Sequence, residues 1–373
     1  MKKYSLLIFL SCLALLLRGF MLVFFPTPLY WEEVALGYDA WSLSTNGYDY
    51  HHHFLPLAAV ESFGDYKPSG YFYALALLFK FLPINDLVVR LPSLLAGVAL
   101  VIGTAILASR LWLCCTGKTN HQLAIFAALL ATFNPALFHL SLAAWETNLA
   151  TAFFIWGIIL LLPKPNSHSL PWRLLGGQIC LLASFYTYHS FRLIAPLIGL
   201  FLIFWHWQLL GRNFFAKKNL IKLITFVLVD ILALSPFLFV HSQHLGQRFA
   251  ETSIFATNEA IVKANTCRQT AANSFLSRFF CHRYLYWGRE ILAHACDHLR
   301  LDYLFFSGDD NHRHSSQLFG VFYPTDLFFL LAGLIYLFKQ RKLQRYATAW
   351  WFLLFFFIDR KSTRLNSSHQ PLS

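Results

Sequence analysis

Two adjacent carboxylates, Glu32 and Glu33, close the stretch Tyr30-Trp31-Glu32-Glu33 just after the first long apolar run, and the same loop then carries Gly64-Asp65-Tyr66-Lys67-Pro68. A carboxylate within hydrogen-bond reach of a hydroxyl can take its proton during attack. A fixed ammonium can hold an anion, or stabilise one that develops on a departing group. Asp65 and Tyr66 flank the lysine and are candidates to touch a substrate. Either acid could instead be a solvated loop charge, or complement the positive N-terminal end of a following helix.

Those residues must be held by membrane-type elements. The chain has 373 residues, 57% of them hydrophobic and 13% charged, where a soluble domain carries roughly 25% charge. Repeated apolar runs predict an all-α polytopic membrane protein, with spans near 5–25, 88–110, 122–140, 147–162, 173–188, 192–210, 221–241 and 323–338 and a fragment at 346–358. Continuous Leu, Phe and Ile runs lack the alternation of an outer-membrane barrel. The first run is too long for a signal-peptide h-region and lacks a small-residue cleavage site, so it reads as an uncleaved span.

Charge then orients the chain. Segments 1–4, 109–121, 163–173, 211–222 and 338–346 hold fourteen Lys/Arg and no acid, whereas loop 26–87 holds seven acids with only Lys67 and Lys80. This positive-inside pattern predicts a multi-pass plasma (inner) membrane protein with a cytosolic N-terminus and the acid–lysine loop outside. The net charge of +12 therefore points to loop topology and not to nucleic acid. Two outer loops are long, 26–87 and 242–322. Val34, Tyr38 and Trp41 at helical spacing, and the short apolar run Tyr71–Phe81, predict interfacial helices in the first. Phe275 to Leu299 predicts another in the second.

Seven cysteines show no metal-ligand spacing; Cys267, Cys281 and Cys296 share one outer loop, where two of them could pair. After Ile358 the chain turns abruptly into Asp359-Arg360-Lys361-Ser362-Thr363-Arg364. Residues 359–373 resemble a translated adaptor remnant, and 1–358 reads as one domain interrupted within its last span.

In residue order the chain resembles the family 39 integral-membrane glycosyltransferases, the protein O-mannosyltransferase and aminoarabinose-transferase relatives of the GT-C fold. The acid pair follows span one, Gly-Asp-Tyr-Lys-Pro precedes the aromatic Tyr71-Phe72-Tyr73, and Arg90-Leu91-Pro92-Ser93 opens span two. The likeness continues through Asn134-Pro135, Ser141 to Asn148, Ser184 to Arg192, and Gly308-Asp309-Asp310 to Gly320. It implies transfer of a sugar from a polyprenyl-phosphate carrier (undecaprenyl or dolichyl) to a protein or glycolipid acceptor outside the membrane, with inversion. It also implies that Glu32 is the base, where the family usually has Asp, with Glu33 and Glu146 in support and Lys67 on the carrier phosphate. Trp31 could stack on a sugar or anchor at the interface, and His189 is a further substrate-binding candidate.

Arg18, inside a span, and Arg192, at a span edge, are the next candidates for the phosphate, because cations at membrane depth generally have a partner. Snorkelling to the headgroups is the alternative for Arg18, and a structural pair with an acid the alternative for Arg192. His51-His52-His53 point in different directions along an extended loop. Asp309, Asp310, His312 and His314 form the better cation cluster, but base-plus-lysine chemistry demands no metal, and no cofactor is expected. A transporter or lipid flippase is the rival class, and a non-catalytic scaffold a third. A transporter would favour intramembrane acids and paired, Gly/Pro-broken spans in two similar halves, and the second half shows no repeat of the first; a scaffold would leave the acid–lysine loop unexplained.

Overall fold

A computed structural model describes residues 2–162, 171–210, 217–238, 259–271, 279–297, 299–309, 311 and 313–339. The chain divides into two compact units, Met1–Val240 with Leu331–Trp351, and His241–Leu330 with Phe352–Ser373. Apart from one hairpin and an isolated bridge, the described secondary structure is helical. That matches the all-α expectation.

In the first unit, α1 (Lys2–Phe24) buries a ridge at four-residue spacing, Leu10, Ala14, Arg18 and Leu22. Side chains four apart share a helix face, and Leu10 and Ala14 pack with Val101, Ala105, Ala128 and Ala131. After α2 (Trp31–Asn46) come strands β1 (Val60–Ser62) and β2 (Asp65–Lys67), then α3 (Gly70–Phe79). The 31-residue α4 (Asp86–Thr116) starts on Asn85, whose side chain accepts from Val88 N–H at 2.9 Å, and stops at Gly117 with φ of +71°. At 1.5 Å per residue it is roughly 46 Å long, against a hydrocarbon core about 30 Å thick.

The run predicted as one span over 122–140 is two helices, α5 (His121–Phe133) and α6 (Pro135–Leu140). Pro135 lacks the N–H that would continue α5, and its ring disfavours helical geometry at Asn134. Asn134 instead caps α6, accepting from Leu137 N–H at 2.8 Å. Next come α7 (Glu146–Leu161) and α8 (Pro171–Thr187), which approach closely at two glycines. A Cβ at Gly157 would lie 3.1 Å from the Gly177 carbonyl oxygen, and one at Gly177 would lie 3.2 Å from that of Gly157. Small residues of this kind let membrane-type helices meet backbone to backbone. α9 (Phe191–Leu210) and α10 (Lys217–Leu234) follow, the latter ending in a 3-10 turn at Ser235–Leu238. Asp230, an acid in the predicted span 221–241, accepts from Gln178 Nε2 at 2.9 Å.

Among the described residues, two helical segments are long and apolar enough to cross a membrane, Ser5–Phe24 and Asp86–Cys114. Shorter apolar helices occupy the other predicted spans, including Glu146–Leu161, Phe191–Ile203 and Ile224–Phe237.

The second unit contains α11 (Glu259–Thr270), α12 (Arg283–Asp297) and a π-helical turn at Asp302–Phe306. The expected helix over 275–299 is thus shorter, and 272–278 lies outside the described residues. α11 was not anticipated, its polar sequence giving no apolar period. Cys267 and Cys281 form a disulfide, which leaves Cys296 as the free thiol of the three. The final described helix, α13 (Asp326–Lys339), opens on Asp326, which accepts from Tyr323 N–H at 3.0 Å. The fragment 346–358 and the tail 359–373 lie outside the described residues.

Candidate active site

The two neighbouring acids have different fates because successive helical residues point about 100° apart. Glu33 is buried and turns toward the bundle. Arg90, near the start of α4, grips it with a planar fork, Nε to Oε1 at 2.9 Å and Nη2 to Oε2 at 2.8 Å. Tyr30 N–H donates to Oε2 at 3.0 Å and Ala144 N–H to Oε1 at 2.7 Å. Four donors account for the roughly four lone-pair sites of an ionised carboxylate. Burial pushes the Glu33 carboxyl up, but the Arg90 and backbone hydrogen bonds outweigh it, and the group sits below the usual carboxylate range. Arg90 is equally engaged, donating to Thr27 O, Thr27 Oγ1 and Pro28 O at 2.9, 3.2 and 3.1 Å. Glu33 therefore ties the start of α2 to α4 and to the loop before α7. It has no lone pair left for an acceptor's proton.

Glu32 faces another way, toward the hairpin. β1 and β2 pair Val60 with Lys67, Glu61 with Tyr66 and Ser62 with Asp65. The connecting residues Phe63 and Gly64 both have positive φ, +54° and +72°, the two-residue turn whose twist suits a hairpin. The sequence reading has this motif as loop, since three-residue strands are too short to show a period. Alternation then decides direction: Val60, Ser62 and Lys67 point inward. Tyr66 instead reaches across to Glu61, Oη to Oε2 at 3.3 Å. Lys67 Nζ thus stands 3.8 Å from Glu32 Oε2, with side chains 11% and 33% exposed respectively.

Trp31, at the first position of α2, meets the hairpin tip edge-on, its ring 4.4 Å from that of Phe63. It is 47% exposed, so its face is open to a ligand or an interface. Asp65 and Tyr66 are half-buried on the same hairpin.

Glu146 opens α7 two residues beyond Ala144, and lies near enough to Tyr71, with Glu33 and Arg90, to act on it electrostatically. Tyr71 is fully buried and donates to Val89 O at 3.0 Å. Asn148, one turn further, donates to Ser93 O at 2.8 Å and braces α7 on α4. Glu146 is therefore on the Glu33 side of the site.

Arg192 reaches the first outer loop, donating from Nη2 to Ala58 O at 3.0 Å, with Phe237 5.2 Å from its guanidinium. Asp65 lies within electrostatic range of it. Its nearest hydrogen-bond partner is thus a backbone carbonyl, where the sequence reading offered phosphate or an acid. His189 sits half-buried in the turn before α9, its carbonyl accepting from Arg192 N–H at 3.0 Å. That turn adjoins the loop after Lys67, because a Cβ at Gly70 would meet Thr187 Cα at 2.9 Å.

Arg18 corrects an expectation. It is fully buried, so it neither snorkels to headgroups nor presents itself to a carrier phosphate. Its Nε donates to Ser141 Oγ at 3.2 Å and its Nη1 to Ala14 O and Thr132 O, both at 3.3 Å, with Phe138 packed 5.1 Å away. It ties α1 to α5 and to the end of α6.

Sequence reasoning missed two buried acids. Asp39 lies seven residues after Glu32, which places both on one face of α2. It accepts from Tyr50 N–H at 2.9 Å. Burial raises its carboxyl and neighbouring Asp49 adds to this, while the Tyr50 N–H, His51 and the Lys67 charge oppose it. Asp49 accepts from His53 N–H at 2.8 Å and lies 3.0 Å from His53 Nδ1. The seven-residue spacing was the available signal for Asp39.

Among the described residues, no three His, Cys, Asp or Glu side chains converge as metal ligands. Asp309 Oδ2 is 3.2 Å from His314 Nδ1, while Asp310 and His312 lie outside the described residues. Compared with known protein families, with curated proteins and with solved structures, the chain matches none of them.

Proposed function

We propose that the protein is a multi-pass membrane glycosyltransferase of the GT-C type, which moves a sugar from a polyprenyl-phosphate donor to an acceptor outside the membrane. The observation that carries this reading is the 3.8 Å approach of Glu32 to Lys67 at the outer end of the first membrane-length helix. The resemblance to family 39 in the order of motifs supports it, as does the charge asymmetry between loops.

The chemistry follows from the residue types. An acceptor hydroxyl attacks the anomeric carbon from the face opposite the phosphate, and its proton passes to Glu32. The bond between that carbon and the phosphate oxygen breaks, its electron pair stays on the oxygen, and the anomeric centre inverts. Lys67 balances the charge gained by the phosphate. In this reading Arg192 acts on the phosphate from the start of α9, and Glu146 and Glu33 support the acceptor side. Trp31, Asp65, Tyr66 and His189 line the approach. No nucleotide-binding loop is needed, because the donor arrives through the bilayer.

Purified protein incubated with labelled polyprenyl-phosphate sugars tests the reading. Glu32→Gln should lower kcat by about 10²–10⁴-fold with little change in donor KM, as for loss of a general base. Full transfer by Glu32→Gln and by the Glu32→Gln/Glu33→Gln double variant would sink it. Substrate flux through liposomes with no covalent transfer would favour a transporter.

A further inference from the structure

The far end of α4 carries a second set of cations, which the transfer chemistry does not use. Arg110 lies twenty residues after Arg90, roughly 30 Å along the helix and so about one hydrocarbon thickness away from it. Helix register sets its neighbours. Asn148 of α7 donates to Ser93 O of α4 at 2.8 Å, and further along a Cβ at Gly103 would lie 3.0 Å from Ile155 Cγ2 and 3.8 Å from Ile159 Cδ1. α4 and α7 therefore run in the same direction. Arg110, seven residues past Gly103 on the same face, comes out where α7 ends.

α8 starts from that same end. Gly177 lies against Leu161, and Arg173, one turn earlier in α8, is buried and donates from Nη2 to Leu160 O at 3.1 Å and to Ile159 O at 3.4 Å. The two guanidinium groups are within electrostatic range of each other. Like charges held together need an anion. Segments 109–121 and 163–173, which carry the two residues, contain no Asp or Glu. Arg110 Nη1 is sealed from solvent and hydrogen-bonds to no described residue, so a desolvated donor stands without an acceptor. A guanidinium fork matches a phosphate through paired N–H···O contacts, and at the end of a membrane-length helix the phosphate within reach is that of a lipid headgroup.

We propose that Arg110 and Arg173 together bind the phosphate of an anionic phospholipid in the cytosolic leaflet. Arg173 is fixed by the carbonyls at the end of α7, and Arg110 supplies the donors that no protein acceptor takes up. The bound headgroup neutralises the cation pair and fastens α4 to α7 and α8 at their cytosolic ends. The site uses the membrane orientation read from the loop charges and no step of sugar transfer.

Titrating the purified, delipidated full-length protein in detergent with phosphatidylglycerol, and following thermal unfolding, tests the site. Wild type should gain Tm saturably, as a ligand of the folded state requires. Arg110→Gln should bind the lipid at least about ten-fold more weakly, as on losing hydrogen bonds to a charged group. Without lipid the same variant should unfold no lower than wild type, because it removes a repulsion and no protein hydrogen bond; a lower Tm there would make Arg110 a structural residue and overturn the claim. Lys118→Gln, at an exposed lysine of the same segment, should respond like wild type. No saturable gain by wild type, an undiminished response of Arg110→Gln, or an equal loss in Lys118→Gln also overturns the site. Equal stabilisation by inorganic phosphate or by phosphatidylcholine overturns its assignment to an anionic lipid.

Discussion

Glu33 and Arg90 meet through two parallel hydrogen bonds, 2.9 Å from Nε to Oε1 and 2.8 Å from Nη2 to Oε2. Because Glu33 also accepts from Tyr30 and Ala144 N–H, one carboxylate joins three stretches far apart in the chain. Glu32, its immediate neighbour, lies in a looser ion pair with Lys67, at 3.8 Å. The pair of acids divides into a buried fastener and a partly exposed neighbour.

Stability should separate them. Removing one partner of a buried pair strands the other charge and costs about 3–5 kcal/mol, so Glu33→Gln should lower the Tm of the purified protein sharply. Glu32→Gln sits at a partly exposed pair and should cost under about 1 kcal/mol. Thermal unfolding of the two variants side by side checks this, and equal losses would contradict it.

The pH response of Glu33 should differ in sign from that of Asp39. The folded Glu33 carboxyl lies below its ordinary value, so its contribution is present above the unfolded pKa and is lost as pH falls through the folded one. Asp39 is raised, chiefly by burial, so its contribution is full below the unfolded pKa and fades as pH rises through the raised value. Relative to wild type, Asp39→Asn should therefore gain Tm between about pH 4 and pH 7, and Glu33→Gln should lose it over the same range. Denaturation at several pH values reads both.

The α7–α8 crossing predicts a cost for the smallest added side chain. Gly157→Ala would place its methyl 2.9 Å from Leu181 Cδ2, and Gly177→Ala would place one 2.6 Å from Leu161 Cγ. Each should destabilise by about 1–3 kcal/mol, as overpacking does. Tm measurements would show it, while Gly19→Ala, with open space around it, should change little.

Cysteine chemistry should follow the Cys267–Cys281 bond. In membranes isolated without reductant, an exposed Cys296 should take a maleimide label while Cys267 and Cys281 take it only after reduction. A loop of this size gives a crosslink worth about 3 kcal/mol in the chain-entropy picture, so Cys267→Ser should unfold the second unit at lower temperature. Labelling of Cys267 before reduction would contradict the pairing.

The helices that hold the site were legible because apolar runs and charge asymmetry are one-dimensional signals. α1, α4 and α7–α10 lie close to where hydropathy puts them. The break at Asn134-Pro135 was visible as a Pro within an apolar run, yet hydropathy averages across it. The hairpin that aims Lys67 was not legible, since its register depends on a two-residue turn with Phe63 at positive φ. The split between Glu32 and Glu33 depends on Arg90, 57 residues away in sequence, and adjacency alone cannot rank two identical acids. Arg18 looked functional because an intramembrane cation usually is; its partners turn out to be a hydroxyl and two carbonyls.

The four-point anchorage of Glu33 has a consequence for how the candidate site could be retuned. One side, at Glu33, is bolted to the scaffold and tolerates little adjustment. The other side is a short ribbon whose tip, Phe63-Gly64, leans on Trp31 alone among the ring contacts described. On the proposed function, changes in which acceptor is taken would accumulate on the ribbon, leaving the rigid side to preserve the reaction.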